Sequence, residues 1–377
     1  MSFTNVQRRP GLSPRYETMV LPASRRYWGM NETSAHGEIR GLKPGDVVEV
    51  RPPQEILATL DGDAAIDAMP FMPEMLKHVG KRFTVTRRVE KICDTVSMNP
   101  PNSRRMHDTV LLDDLRCDGT GHDGCQAACR LYWKEAWLRP VDPESAPSVD
   151  ADLDGLEKLD RLVREGSRAV REFDGEPVET YRCQATEALR ATEQLRPFDP
   201  RQYAREFTAG NVSLLRILRV GLRGIGSLIR GWFHLPGYLR PTSSGGVVAE
   251  TRPPLNLKPG DLVKVRSKEE IARTIDDGGK TRGLWFDWEM LPYCGGHYRV
   301  RDRVHRIVDE RSGRMINIAT DCLILDGVVC GGECSTGRWF CPRAIYPYWR
   351  EEWLERVRDA DSVRETPEAG MVRAPVA

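Results

Sequence analysis

Ten cysteines stand in this chain of 377 residues, and nine of them fall into two clusters. The upstream cluster is Cys93, Cys117, Cys125 and Cys129, with His122 inside the loop that runs from Cys117 to Cys129. The downstream cluster is Cys294, Cys322, Cys330, Cys334 and Cys341. Thiolates are soft ligands, and a structural zinc site draws four of them to about 2.3 Å from one ion. Gly, Asp, Ser and Thr fill both loops, as a chain curling round an ion requires. Four thiolates upstream would make a closed tetrahedral zinc site. The same set would suit an iron–sulfur cluster, and free, buried or redox-active thiols are the third reading. The spacings are not the C-x2-C pairs of zinc ribbons. His122 is a further ligand, a general base or an ordinary loop histidine. Cys183, alone between the clusters, reads as an ordinary thiol.

The elements that must carry these residues are written twice. Leu42-Lys43-Pro44-Gly45-Asp46-Val47-Val48-Glu49-Val50-Arg51 matches Leu257-Lys258-Pro259-Gly260-Asp261-Leu262-Val263-Lys264-Val265-Arg266. The offset holds through Phe71/Phe286, Glu74/Glu289, Met75/Met290, Gly80/Gly295 and Asp94/Asp309. The match returns at Tyr132-Trp133 and Tyr348-Trp349. Such internal similarity marks a duplicated architecture. In each copy Pro-Gly-Asp reads as a turn and the following alternation as a strand. One or two helical turns are expected over Glu55 to Leu60, and strands over Arg82 to Val89, Val110 to Leu112, Tyr298 to Val304 and Leu323 to Leu325. A short amphipathic helix carrying Trp133 and Trp137 is expected to close the module. The expected fold is α+β. Two modules, residues 40–145 and 250–358, flank a helical segment at 150–240, with an extension at 1–39 and a disordered tail at 359–377.

The copies do not share their cysteines evenly. Cys117 and Cys125 match Cys330 and Cys341. Cys93 meets Val308 and Cys129 meets Ile345, while Cys294 and Cys322 meet Val79 and Thr109. If both modules bind metal, their sites differ. Glu74 and Glu289 are either capping or salt-bridged acids or pocket acids, and Asp94 and Asp309 carry the same alternatives. His78 and His297 do not align with each other. The aromatic run Trp285-Phe286-Asp287-Trp288 reads as core or as a binding face.

Between the modules, Leu156, Leu159 and Val163 form an apolar stripe. Leu214, Leu215, Leu218, Leu222, Ile225 and Ile229 form a longer one, opposite Arg216, Arg219, Arg223 and Arg230. The first expectation is a helix packed on the modules with its basic face solvated; the sharper one is contact with a membrane surface or anionic partner through 211–232. Pro241 to Gly246 reads as a linker.

Lys plus Arg number 56 and Asp plus Glu 55, a balance that argues against nucleic acid as a partner. Met1 to Ala23 lacks the apolar core of a secretory signal, and no run of about 18 apolar residues spans a membrane. The expected compartment is the cytoplasm, where clustered cysteines read as metal or redox groups rather than a disulfide framework. There is no nucleophile elbow, phosphate-binding glycine loop, HExxH or dinucleotide fingerprint.

The Pro-Gly-Asp-x-Val-x-Val-Arg turn and strand, with Gly80-Lys81-Arg82-Phe83-Thr84-Val85 after it, resembles an SH3-like barrel, in outline that of the nitrile hydratase beta subunit. Ile92-Cys93-Asp94, Arg104-Arg105-Met106, the Cys117–Cys129 loop, Trp133-Lys134-Glu135-Ala136-Trp137-Leu138, Gly283-Leu284-Trp285-Phe286-Asp287 and Tyr346-Pro347-Tyr348-Trp349-Arg350 resemble a two-repeat, cysteine-rich family of bacterial proteins. The likeness covers most of residues 40 to 355. Genes of that family often lie among those for polysaccharide or natural-product biosynthesis. The family carries Phe-Cys-Gly where this chain has His78-Val79-Gly80. The resemblance implies a bacterial biosynthetic setting and no particular activity. Two functions follow as expectations: a zinc-stabilised accessory protein that holds a partner enzyme or carrier, or a metalloenzyme or iron–sulfur redox protein acting on a small molecule.

Overall fold

The structure is a computed structural model and describes residues 41–97, 103–145, 152–196, 199–232, 253–276, 279–334 and 338–357. The expected extension at 1–39, the Pro241–Gly246 linker and the tail after Asp359 lie outside the described residues.

Each copy of the repeat begins with the same turn. Pro supplies the fixed φ of the second turn position and Gly the positive φ of the third. Gly45 has φ 96° and donates its N–H to Val85 O at 2.8 Å; Gly260 has φ 91° and donates to Val300 O at 2.8 Å. The turn feeds strand Val47–Val50, which pairs antiparallel with Arg82–Arg88 on one side and Leu138–Pro140 on the other. Thr109–Leu112 and Trp133–Lys134 extend the sheet to five strands. The second copy builds four, in the order Leu323–Leu325, His297–Arg303, Leu262–Val265, Leu354–Arg356. Both long strands carry a register shift at the matching place, Val85/Arg87 and Val300/Asp302.

The stretch from Trp133 to Leu138 is not the amphipathic α-helix expected from its two tryptophans. It is strand Trp133–Lys134, a 3-10 turn Glu135–Trp137 and strand Leu138–Pro140. Burial explains the difference: Trp133 and Trp137 are both fully buried and both meet the edge of Phe71, at 6.1 and 5.1 Å between ring centroids. Phe286 holds Trp349 and Trp353 in the same way, at 6.0 and 5.2 Å. The two edge strands of the first sheet are joined only by that turn, so the sheet must curl, although no ladder closes it among the described residues.

The connecting segment is less helical than its periodicity suggests. Helix Leu153–Gly166 packs Leu159 and Val163 into the first module's core, as the stripe predicts. A hairpin follows, Arg168–Phe173 against Glu176–Tyr181, turning through Asp174 and Gly175 at φ 52° and 84°. Asp-Gly is a strong two-residue hairpin signal. Strand Glu193–Gln194 then joins a three-stranded sheet with Lys91–Cys93 and Ser103–Arg105.

In helix Leu214–Trp232 the leucine stripe does not pack on the modules as first expected. Leu214, Leu215, Leu218 and Leu222 are exposed, while Val220 is buried in a cluster with Val212 and Phe340. Gly224 decides this. A Cβ there would sit 2.2 Å from the Trp339 ring, so only the glycine face admits the tryptophan. Among the described residues, no helix is long and apolar enough to cross a membrane.

The two modules meet through reciprocal contacts. The N–H of Val308 points at Cys125 Sγ across 3.3 Å, and that of Cys93, its repeat counterpart, points at Cys341 Sγ across 3.1 Å. Thr95 bonds to Glu310, again its own counterpart.

Candidate metal centre

Glu74 enters the site from the 3-10 helix Pro73–His78 and is buried. Cys117 and His122 come from the cysteine loop. That loop can fold back on itself because Gly119 has φ 75°, and a Cβ on it would lie 2.1 Å from Cys125 O. The N–H of Cys117 bonds to Cys129 O at 2.8 Å, and the 3-10 turn Thr120–His122 swings the imidazole inward.

Glu74 Oε1 lies 2.9 Å from His122 Nδ1, 3.4 Å from Cys117 Sγ and 3.0 Å from the Gly121 N–H, which donates to it. Glu74 Oε2 is buried with no hydrogen-bond partner. One donor atom from each of Glu74, Cys117 and His122 lies within 4.8 Å of the others, a spacing that fits one metal ion. On its far side His122 Nε2 faces the Arg182 carbonyl at 3.3 Å.

This arrangement asks for a cation. Both ring nitrogens of His122 face oxygen acceptors, and a neutral imidazole has only one N–H to give. Either the ring is doubly protonated beside the Glu74 carboxylate, or a metal takes Nδ1 while Nε2–H donates to Arg182. The second arrangement is the usual one for a ligating histidine, whose other nitrogen is fixed by a carbonyl or carboxylate. Burial works against ionisation of Glu74, but the hydrogen bond and charge of His122 and the Gly121 amide outweigh it and hold its carboxyl below the ordinary range. Burial, and then the charge of Glu74, push the Cys117 thiol well above its ordinary range. An ion would have to displace that proton to bind.

Cys117 and His122 also line a cavity of about 560 Å³ where the modules meet. Cys125, Cys129 and Cys183 share its wall. Burial raises Cys129 to about 12 and Cys183 to about 11. Cys183 carries no spacing signal in the sequence; it arrives with the segment that supplies the Arg182 carbonyl.

The second module lacks the equivalent triad. Glu289 and Cys330 keep their places, but the position of His122 holds Arg338: the N–H of Cys341 bonds to Arg338 O as that of Cys125 bonds to His122 O. Arg338 pairs with Asp287 at 2.6 Å, and Glu289 accepts the N–H groups of Cys334 at 2.9 Å and Glu333 at 3.3 Å. Amides occupy the carboxylate that in the first module is left half unpaired.

The remaining sequence candidates are dispersed. Cys93 stands against Cys341 of the other module rather than with Cys117, Cys125 and Cys129. Cys294 packs against the second core and Cys322 lies in a small apolar cluster with Val304 and Tyr346, while Cys334 is exposed. Among the described residues no three thiol sulfurs lie within 4.8 Å of one another, so a closed thiolate site for a single ion is not pre-formed. Asp94 and Asp309 cap matching turns, each accepting from a serine three residues on. His78 packs on Phe83 and Trp133, and burial lowers it to about 4. His297 is exposed on its strand.

Compared with known protein families, with curated proteins and with solved structures, the chain matches none of them.

Proposed function

We propose that the protein is a metal-dependent small-molecule protein, with one ion held by Glu74, Cys117 and His122 and a coordination position open to the inter-module cavity. One observation carries the reading: both nitrogens of the buried His122 ring face acceptors while Glu74 Oε2 has no partner. Three protein ligands with one open position is the pattern of catalytic rather than structural zinc. Such an ion polarises a bound carbonyl or activates a bound water. The cavity suits a small, mainly apolar molecule, since Val96, Leu131, Ile307 and Ile316 line it beside Tyr132 and Tyr348. In a bacterial biosynthetic setting that molecule would be a pathway intermediate. The first sheet, whose two edge strands are joined by a 3-10 turn, and the second, where the matching turn links the Leu323–Trp349 bridge to strand Leu354–Arg356, support an SH3-like reading of the modules.

Cobalt substitution tests the site. A thiolate-to-metal band lost in Cys117→Ser, with ligand-field bands that move on adding azide, is the expected result. A spectrum that azide leaves unchanged contradicts the open position.

A second reading has its own observation. Cys117, Cys125, Cys129 and Cys183 face one cavity without crowding to single-ion spacing. An iron–sulfur cluster holds its thiolates wider apart than one ion does. Brown anaerobically purified protein with broad visible absorption supports the cluster; colourless protein supports the single ion.

A further inference from the structure

We infer that Cys93 and Cys341 are a site of reversible oxidation, a disulfide that fastens the first module to the second. Cys93 ends strand Lys91–Cys93 of the first module, and Cys341 lies in the cysteine loop of the second. The Cys93 N–H donates to Cys341 Sγ at 3.1 Å, which sets the two cysteines against each other across the module boundary. Both side chains are buried. The equivalent place elsewhere pairs Cys125 with Val308, where no disulfide can form, so the pairing is peculiar to this half of the interface.

The surroundings prepare one sulfur to react. Arg343 donates to Cys93 O at 3.3 Å and to Thr95 Oγ1 at 2.7 Å. Burial opposes ionisation of Cys341, but the hydrogen bond from Cys93 and the amide and charge of Arg343 outweigh it, and the thiol titrates below its ordinary range. Cys93 is displaced the other way, by that same hydrogen bond and by burial. Thiolates, not thiols, are the nucleophiles. Arg343 and Thr95 line the cavity, so the pair lies directly behind its wall.

The oxidant is a hydroperoxide. Cys341 thiolate attacks the peroxide oxygen; an S–O bond forms, the O–O bond breaks, and the leaving oxygen takes up a proton. Cys93 sulfur then attacks Cys341 sulfur; the S–S bond forms, the S–O bond breaks, and water leaves with the thiol proton of Cys93. The two thiols give up two electrons and the hydroperoxide is reduced to water, or to water and an alcohol. The link joins residues 248 apart in sequence, so it removes much freedom from the unfolded chain. This inference does not depend on a metal at Glu74.

The experiment uses the folded full chain, reduced and then treated with limiting hydrogen peroxide, alkylated and digested with trypsin. The expected product is peptide Ile92–Arg104 linked to peptide Trp339–Arg343, lighter by two hydrogens than the sum of the reduced peptides. The oxidised chain should resist thermolysin several-fold longer than the reduced one, and Cys93→Ser should abolish both effects. If peroxide modifies Cys334 while Cys93 stays alkylatable, or if the cross-link forms only after denaturation, the inference is overturned.

Discussion

His122 Nδ1 stands 2.9 Å from Glu74 Oε1 in a buried site, with the Arg182 carbonyl behind the ring at 3.3 Å. A histidine held between two acceptors carries either an extra proton or a metal ion. The same place in the second module holds Arg338, which brings its own charge and needs no ion. The duplicated scaffold thus has one site that calls for a cation and one that supplies its own.

The pH dependence of ion binding follows from the groups involved. The Cys117 thiol lies well above its ordinary range, so at neutral pH it must lose a proton to ligate. Affinity should therefore fall about tenfold or more for each pH unit between 8 and 6. A zinc competition titration at both pH values checks this; equal affinities would contradict it. Glu74 gives the apo protein a pH dependence of the same sign, but in the acid range. Its carboxyl lies below the ordinary value of 4.5, so its contribution to stability is present above that pH and is lost as pH falls through the lowered value.

Gly119→Ala should cost about 1–3 kcal/mol of stability, because a side chain at φ 75° is strained and its Cβ would meet Cys125 O. The loop would open and zinc occupancy would fall with it. Chemical denaturation and metal analysis read the two effects together. An unchanged variant would show that the loop does not fold back on Cys125.

Trp137→Ala and Trp353→Ala should each cost about 3–5 kcal/mol, since each removes a fully buried indole packed on its own phenylalanine. Urea unfolding checks this. A loss near zero for either would mean that the tryptophan is not part of a core.

Leu215→Ser and Leu218→Ser should change stability by less than about 0.5 kcal/mol, because both leucines are exposed on their helix. A loss of 2 kcal/mol or more, the range for a buried leucine, would show that the stripe packs inward.

The scaffold was legible where local chemistry and burial agree. The Pro-Gly turns, the alternating strands and the repeated Phe–Trp–Trp cores all leave a pattern in sequence. The closing element is ambiguous in sequence because Trp133 and Trp137 fit helical spacing equally well, and only packing on Phe71 selects strand and 3-10 turn. The Asp174-Gly175 dipeptide is a hairpin signal that the apolar stripes on either side mask. Glu74 is open to two readings and His122 to three, and long-range folding brings them together. Cys183 reads as an ordinary thiol in sequence because it and the Arg182 carbonyl reach the site through an irregular segment. The partition of Cys93 away from Cys117 depends on how one module docks on the other.

Metal content of purified variants tests the central claim most directly. The full chain is reduced, loaded with zinc, freed of excess ion and assayed for metal per folded chain. About one ion is expected in the unaltered chain and in Cys330→Ser, and close to none in Cys117→Ser and in His122→Arg, which gives the first module the arginine of the second. Full occupancy in His122→Arg, or loss in Cys330→Ser as great as in Cys117→Ser, would contradict a single ion at Glu74, Cys117 and His122.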